Sequence, residues 1–598
     1  MSEHAPVAVS QEPMIWHERF VPGSFNLPCL VRRYEGPLDV DAFEWALSET
    51  VRRHQPLRST FSVVGGEPRQ VVGDHPFHLA VVDLAGLPPE ERDDRVADMV
   101  ADATGRPFDL ATGPLFEPRL VRLGPGDHLL VVRLHHTVFD DWSVDLFRRE
   151  LSALYAARLE GAPSPLVEPE ISFTDACRRQ RARLAGPVGA DERAWWRKEL
   201  DGAPLSVQLP IGPGTPDGGE PVRLDLPAPL AAALRALGPT LRATPYMTVL
   251  SAFSVLLARR TGQDDLLIAT VVAHRNRSDV EPLIGCFTKK VPLRLRVDGD
   301  PTFPELVART RSSLLGSLSH QDLAFDAAVQ EGVGRAAADH GVVPQVSVVF
   351  QAETPRRVKL SLPGLAVRPY EATRRERHFS SGAQPWGDGI YLGTFLILSL
   401  LESDEGTALI ARGVFDRPTV RRLLEELESL LGEVVADPSR PVADLRGPVR
   451  PPAEDELVLR GFRLRRSPLE AALARCPGVA QVSLAVEADR LVATVVPAGR
   501  RAPTLAQLRS AVWAARPGAP WPAEANLVHG VVDPVASALA ATWAEASGRP
   551  VGPRSVYWQD FSFLPALAQL RAQGMTISDQ DVVRCRTPEM LAAAMALR

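Results

Sequence analysis

Two adjacent histidines, His135 and His136, are followed four residues on by Asp140, within Leu134-His-His-Thr-Val-Phe-Asp-Asp-Trp-Ser143. An imidazole titrates near neutral pH, so it can take a proton from an attacking group or orient that group. A carboxylate close by in sequence can fix the local geometry. The competing reading is a packed histidine pair at a strand end, because an isolated His-x-x-x-Asp recurs by accident.

The flanking elements decide what such a group could reach. His128-Leu-Leu-Val-Val-Arg133 reads as a buried strand, and Ser143 to Leu159 has a helical pattern. The pair therefore sits where a strand ends and the chain turns. Neighbouring strand residues face opposite ways, so only one histidine can face a given cavity. Upstream, residues 1–13 read as a loose leader, 41–54 as a helix with an acidic first turn, and 61–72 as a hairpin across Gly65-Gly66. A helix is expected over 88–104, a Pro-rich loop over 160–170 and an Arg-rich helical stretch over 171–200. Pro204 to Pro227 reads as a linker. The region 225–447 repeats the α/β alternation. Its helices are expected near 228–238, 246–260, 303–318 and 416–436, and its strands at 266–272, 344–351 and 390–400. Each half can build a mixed sheet with its own core. A Pro-rich break at 447–452 precedes a small α+β segment. It has a strand at 457–459, a helix at 468–475 and strands at 480–486 and 491–496. A helical end covers 532–598.

Composition narrows the function classes. A chain of 598 residues implies several domains. The net charge of −6 implies no basic face, hence no nucleic-acid partner. No apolar run approaches the roughly 18 residues of a membrane span. The 5 cysteines are scattered without a C-x-x-C, which speaks against a disulfide framework or metal site and for a reducing compartment. The start lacks a basic-then-apolar signal, so a cytoplasmic location is expected.

The histidine stretch resembles the HHxxxDG signature of the condensation domains of nonribosomal peptide synthetases. Arg53-His-Gln-Pro-Leu-Arg-Ser-Thr-Phe61 is similar to that family's RHExLRTxF. Phe173-Thr-Asp175 with Gln180 is similar to YxDYAxWQ. Ile284-Gly-Cys-Phe287 matches the start of IGxFVNT, and His320-Gln-Asp-Leu-Ala-Phe325 is close to HQDxPFE. These segments keep the family's order and cover roughly residues 10–447. The resemblance implies an α/β (α+β) fold of two chloramphenicol-acetyltransferase-like lobes in a V, here 1–185 and 186–447. The histidine motif would lie at their junction, in a tunnel open to donor and acceptor.

The resemblance also implies roles. His136 would take a proton from the attacking amine or orient it. His135 belongs to the same catalytic motif but is expected to be structural, and Asp140 is expected to be an ion-pair partner. Arg275 is its first expected partner and Arg58 its second. Ser143 and His320 fall among the supporting or substrate-binding positions, and Trp142 reads as core. Asp141 replaces the motif's glycine, so its side chain is expected to point away unless the acceptor is unusual, for example cationic. Lys289-Lys290 replace Asn-Thr. They would meet a phosphopantetheine phosphate or an acidic substrate, or form a solvated basic turn.

Beyond the break, Arg460-Gly-Phe-Arg-Leu464 and Leu469 to Val479 resemble the small C-terminal subdomain of adenylation domains, here 453–530. The catalytic lysine of that family's GKVDR motif is replaced by Val531, so no adenylate formation is expected. Residues 532–598 resemble a helical carrier domain in Trp543-Ala-Glu545, Val551-Gly-Pro553, Tyr557-Trp558 and Arg586-Thr-Pro588. The attachment motif LGGxS is not kept. No pantetheine attachment is expected, with Ser562 as the sole candidate.

The expectation is thus a stand-alone condensation enzyme with no bound cofactor and no metal. The donor would be an acyl group on the phosphopantetheine arm of a separate acyl or peptidyl carrier protein. The acceptor would be an amine, free or carrier-bound. Ester formation with an alcohol, a non-catalytic docking scaffold and epimerisation are the alternatives. A coenzyme-A-dependent acyltransferase is disfavoured, since Pro385-Trp-Gly-Asp-Gly389 only echoes its DFGWG motif.

Overall fold

The stretch Leu129–Leu134 is apolar apart from Arg133, and such a run can bury both faces only inside a sheet. In the computed structural model, Asp127–His135 is the middle strand of a five-stranded sheet. The strand order is Ala366–Pro369, Asn26–Glu35, Asp127–His135, Phe116–Gly124, Ala80–Asp83. All neighbours are antiparallel except the last pair. Leu130, Val132 and Leu134 face one core, shared with Phe43 and Leu47 of helix Val40–Arg53 and Phe147 and Leu151 of helix Asp141–Leu159. Leu129 and Val131 face the other, against Val96 and Val100 of helix Pro89–Gly105. Helix Val40–Arg53 begins where predicted because the Asp39 carboxylate accepts the Ala42 N–H at 2.9 Å.

The structure describes residues 4–446 and 455–497, apart from short gaps and the longer segments 208–220 and 371–395. Only scattered positions are described beyond 497. Most of the expected linker, the Pro385–Gly389 echo, Val531, Ser562 and nearly all of the expected helical end lie outside the described residues.

The second lobe has a six-stranded sheet ordered Lys289–Arg296, Asp265–Val272, Val348–Glu353, Leu396–Ser403, Gly406–Gly413, Val222–Asp225. Helix Pro245–Thr261 is buried along nearly its whole length, as an apolar helix without a polar face must be. Helix Arg417–Ala436 turns a leucine-rich face into the same core. Beyond residue 454, helix Arg466–Ala474 packs on the antiparallel pair Val479–Glu487 and Arg490–Pro497, where Glu470 accepts the Leu484 N–H at 2.8 Å. Among the described residues no single helix is long and apolar enough to cross a membrane.

Several local expectations are corrected. The leader is not loose: His4–Pro6 pairs with Glu67–Val72, Val7, Ala8 and Val9 are buried, and Gln11–Phe20 is a helix. The helical stretch 171–200 is two helices, Phe173–Ala185 and Pro187–Glu199, parted at Gly186. Strand Ala366–Pro369 comes from the second half of the chain yet pairs with Asn26–Glu35 of the first lobe. Strands Lys289–Arg296 and Gly406–Gly413 and helix Phe325–His340 were not foreseen from the sequence.

Candidate active site

At the end of Asp127–His135 the chain enters a single tight turn, His136–Val138, before helix Asp141–Leu159. The His136 N–H donates to Phe25 O at 2.9 Å, and its Nδ1 lies 2.9 Å from Phe139 O. A carbonyl can only accept, so Nδ1 carries the hydrogen and Nε2 holds the lone pair. No described residue bonds to Nε2, and the ring is only partly buried. This is the tautomer a base needs. The Cys286 thiol lies 3.9 Å from the ring. Burial pushes that thiol well above its ordinary range, so it stays protonated and is no rival nucleophile.

His135 is fully buried. Its Nδ1 accepts the Thr137 N–H at 3.2 Å and lies 2.7 Å from the Thr137 hydroxyl. Nε2 faces the Glu18 carboxylate at 3.5 Å, and Phe108 packs edge-on at 5.6 Å. Burial holds the ring below its ordinary range, hence neutral. The structure gives it a supporting position within the sheet end.

Asp140 joins the lobes. Its carboxylate accepts the Ser143 N–H and O–H at 2.9 and 2.6 Å, capping the helix. Arg275 Nη2 donates to it at 3.1 and 3.2 Å. The Phe287 N–H, the Thr288 N–H and the Thr288 hydroxyl add bonds at 3.1, 3.3 and 3.2 Å. Burial alone pushes this carboxyl up. Arg275, Ser143 and Phe287 outweigh it and hold Asp140 below the usual carboxylate range. Arg275 also donates to the carbonyls of Val280, Leu283 and Gly285 at 2.9, 2.6 and 3.0 Å. The expected pairing with Arg275 is what the structure contains. Arg58, the second choice, instead donates to Gly73 O at 2.6 Å and reaches Asp74 at 3.4 Å.

Other positions depart from expectation. Trp142 is not core: it is 42% exposed, and its indole N–H donates to Glu281 O at 3.0 Å across the lobes. Asp141 is no departure: its side chain was expected to point away, and it is exposed in the first helical turn. His320 follows the last residue of helix Phe303–Ser319 as its C-cap, and it stacks on Trp195 with ring centroids 4.3 Å apart. Its carbonyl accepts the Trp196 indole N–H at 2.9 Å. Lys289 is neither a solvated turn residue nor aimed at an anion. It is buried and donates to the Asp322 and Leu323 carbonyls at 2.9 and 3.0 Å.

Lys289 carries a pH prediction. Burial lowers its pKa from 10.5 to about 7. Between those values the unfolded chain binds the extra proton, so stability rises as pH is raised through that window. Urea melts from pH 7 to pH 10 should show the rise, and Lys289→Met should remove this component.

Residues without any local sequence signal hold the turn. Gln11 Nε2 donates to Thr137 O at 2.7 Å, and the Ser10 hydroxyl donates to Cys286 O at 2.7 Å. Glu18 accepts the Phe25 N–H at 3.2 Å and the Gly23 N–H. From the other side His54, which does lie in the family-like segment Arg53–Phe61, accepts the Ile284 N–H at 3.2 Å through Nδ1, while its Nε2 meets Glu150 at 2.9 Å. Loop 284–287 is thus clamped between first-lobe elements. Gly285 is required there, because a Cβ would lie 2.4 Å from the Phe173 ring and 3.1 Å from Pro56. Gly285→Ala is expected to cost about 1–3 kcal/mol by overpacking, read as a lowered melting temperature.

A family model described as the condensation domain matches residues 1–455. A linear gramicidin synthase of Brevibacillus parabrevis is 33% identical over 455 residues, 74% of this chain and 8% of the synthase. Phosphinothricin tripeptide synthetase PhsC of Streptomyces viridochromogenes is 33% identical over 449 residues, 74% of this chain and 40% of the synthetase. The chain thus spans less than half the length of either relative. Among solved structures, the X-domain in complex with OxyB from teicoplanin biosynthesis aligns with a TM-score of 0.61 at 26% identity, covering 74% of this chain and 96% of that one. SgcC5 of Streptomyces globisporus aligns with a TM-score of 0.55 at 26% identity, covering 73% and 100%. The first condensation domain of the calcium-dependent antibiotic synthetase shares the fold, with a TM-score of 0.56 at 21% identity over 75% and 100%. Matched over residues 1–455 and built from the same two chloramphenicol-acetyltransferase-like lobes, this chain belongs to the condensation-domain family of the nonribosomal peptide synthetases.

Proposed function

We propose that residues 1–455 transfer an acyl group from a thioester on the phosphopantetheine arm of a carrier protein to an amine, forming an amide. The observation that carries this reading is His136, whose Nδ1 is occupied by Phe139 O and whose Nε2 lone pair has no described partner. The amine nitrogen attacks the thioester carbon, and its surplus proton passes to Nε2. The tetrahedral centre then collapses, the C–S bond breaks, and the imidazolium returns the proton to the departing sulfur. The Asp140–Arg275 pair holds both lobes around this ring and takes no part in proton transfer. Asp141, exposed in the first helical turn, is read as facing away from the developing oxyanion. The Ser143 N–H and hydroxyl, both donated to Asp140, help fix that carboxylate at the helix start.

The carrier is read as a separate protein and the reaction as cytoplasmic. The residues beyond 453 are read as an adenylation-like subdomain followed by a carrier-like end, neither of them active. Intact mass after co-expression with a phosphopantetheinyl transferase tests this; a gained pantetheine arm would overturn it and point to Ser562.

A second reading, ester formation, draws on SgcC5, whose structure holds (R)-(-)-1-(2-naphthyl)-1,2-ethanediol. Acyl-loaded carrier mixed with matched panels of amines and alcohols separates the two. Amide products support the first reading and ester products alone support the second. Carrier binding without any product would replace both with a docking role.

A further inference from the structure

A cavity of about 280 Å³ opens between helix Phe173–Ala185 of the first lobe and segment 274–280 of the second. The buried side chains of Ala176, Val280 and Phe287 line it, and Arg179, Arg183 and Arg277 stand at its edge, each half exposed. Two carboxylates share these arginines. Asp279 accepts from Arg179 at 3.1 Å and from Arg277 at 3.0 and 2.6 Å. Asp322 accepts from Arg183 at 2.7 Å and faces His274 Nε2 at 3.2 Å.

The balance is unequal. Burial holds His274 at about 4, so it is neutral near pH 7. Among the groups that line the cavity, three guanidiniums therefore face two carboxylates, an excess of one positive charge within the lining. Each guanidinium has five N–H donors, and the bonds named use one each on Arg179 and Arg183 and two on Arg277. The remaining donors have no acceptor among the described residues. His274 itself sits at a backbone φ of 51°, a conformation that costs a non-glycine residue energy and that concentrates at ligand sites.

We propose that this cavity binds a small amphipathic monoanion, an aromatic or aliphatic carboxylate, with its head on the arginine edge and its apolar body against Phe287. A single negative charge neutralises the edge, whereas a dianion would overcharge it. The apolar lining excludes a wholly polar ion. Two of the lining residues also belong to the lobe junction: Val280 O accepts from Arg275, and the Phe287 N–H donates to Asp140. A bound carboxylate therefore stabilises the junction without touching His136.

The test is calorimetric titration of the full chain with phenylacetate, alongside inorganic phosphate and benzylamine. Saturable phenylacetate binding with a raised melting temperature is expected, with neither control competing. Arg183→Gln should weaken binding about tenfold, the loss of one charge-assisted hydrogen bond. Because that change also removes the contact to Asp322, Ala176→Leu serves as a second variant: it narrows the apolar part of the cavity, removes no ion pair, and should weaken phenylacetate binding. Absent saturation, undiminished binding in both variants, or equal binding of phosphate or benzylamine would overturn the proposal.

Discussion

Asp140→Ala is expected to destabilise the junction of the lobes by about 3–5 kcal/mol, because it strands a buried guanidinium. Both side chains are essentially inaccessible, at 1% for Arg275 and 0% for Asp140. The carboxylate receives donors from both lobes, so its loss also frees the helix cap at Ser143 and the Phe287 and Thr288 N–H groups. Arg275→Met in the same chain should recover part of the loss, since it removes the stranded charge. A double-mutant cycle read by thermal or denaturant unfolding checks this; additive single effects would show that the two groups do not act as a pair. Acid should act in the same direction. Asp140 has a depressed pKa in the folded chain, so its stabilisation is present above the unfolded carboxylate value and is lost as pH falls through the folded one.

His136→Ala should have the largest effect on rate, a loss of about 10²–10⁴-fold, the range for removing a positioned acid–base group. Its cost in stability should be small, about 1 kcal/mol, because the side chain gives up one hydrogen bond to Phe139 O. His135→Ala is the contrasting variant. That ring is fully buried and bonds Thr137 through Nδ1, so its removal should lower the melting temperature first and the rate only through the misplaced turn. Steady-state kinetics with parallel melting curves separate the two. If both variants lost rate and stability alike, His136 would be structural as well.

The histidine pair and Asp140 were legible because they lie in a short motif with fixed spacing, and Arg275 was named only as the first of two expected partners for that carboxylate. Most helices and the central strand were legible from apolar periodicity. What escaped was long-range. Gln11 and Ser10 bond to Thr137 and Cys286, 126 and 276 positions away, and no local pattern marks a polar residue as the clamp of a distant turn. Strand Ala366–Pro369 has 4 residues and ends in proline. Such a segment is stable only as an edge on a partner that the rest of the fold supplies. Trp142 and Lys289 were misread for opposite reasons. The indole needed an acceptor, found at Glu281 O on the other lobe, and so stayed near the surface. The Lys289 amine found two carbonyls to donate to and could be buried, with its pKa lowered to about 7.

The proposed acyl transfer turns on the Nε2 lone pair of His136. A single-turnover assay tests it most directly: an acyl-loaded carrier protein is mixed with excess amine, and amide is followed by mass spectrometry for the wild-type chain and for His136→Ala. The wild type should consume the thioester and release amide, with the variant near the uncatalysed background at unchanged carrier affinity. Equal single-turnover rates in the two proteins would contradict the account.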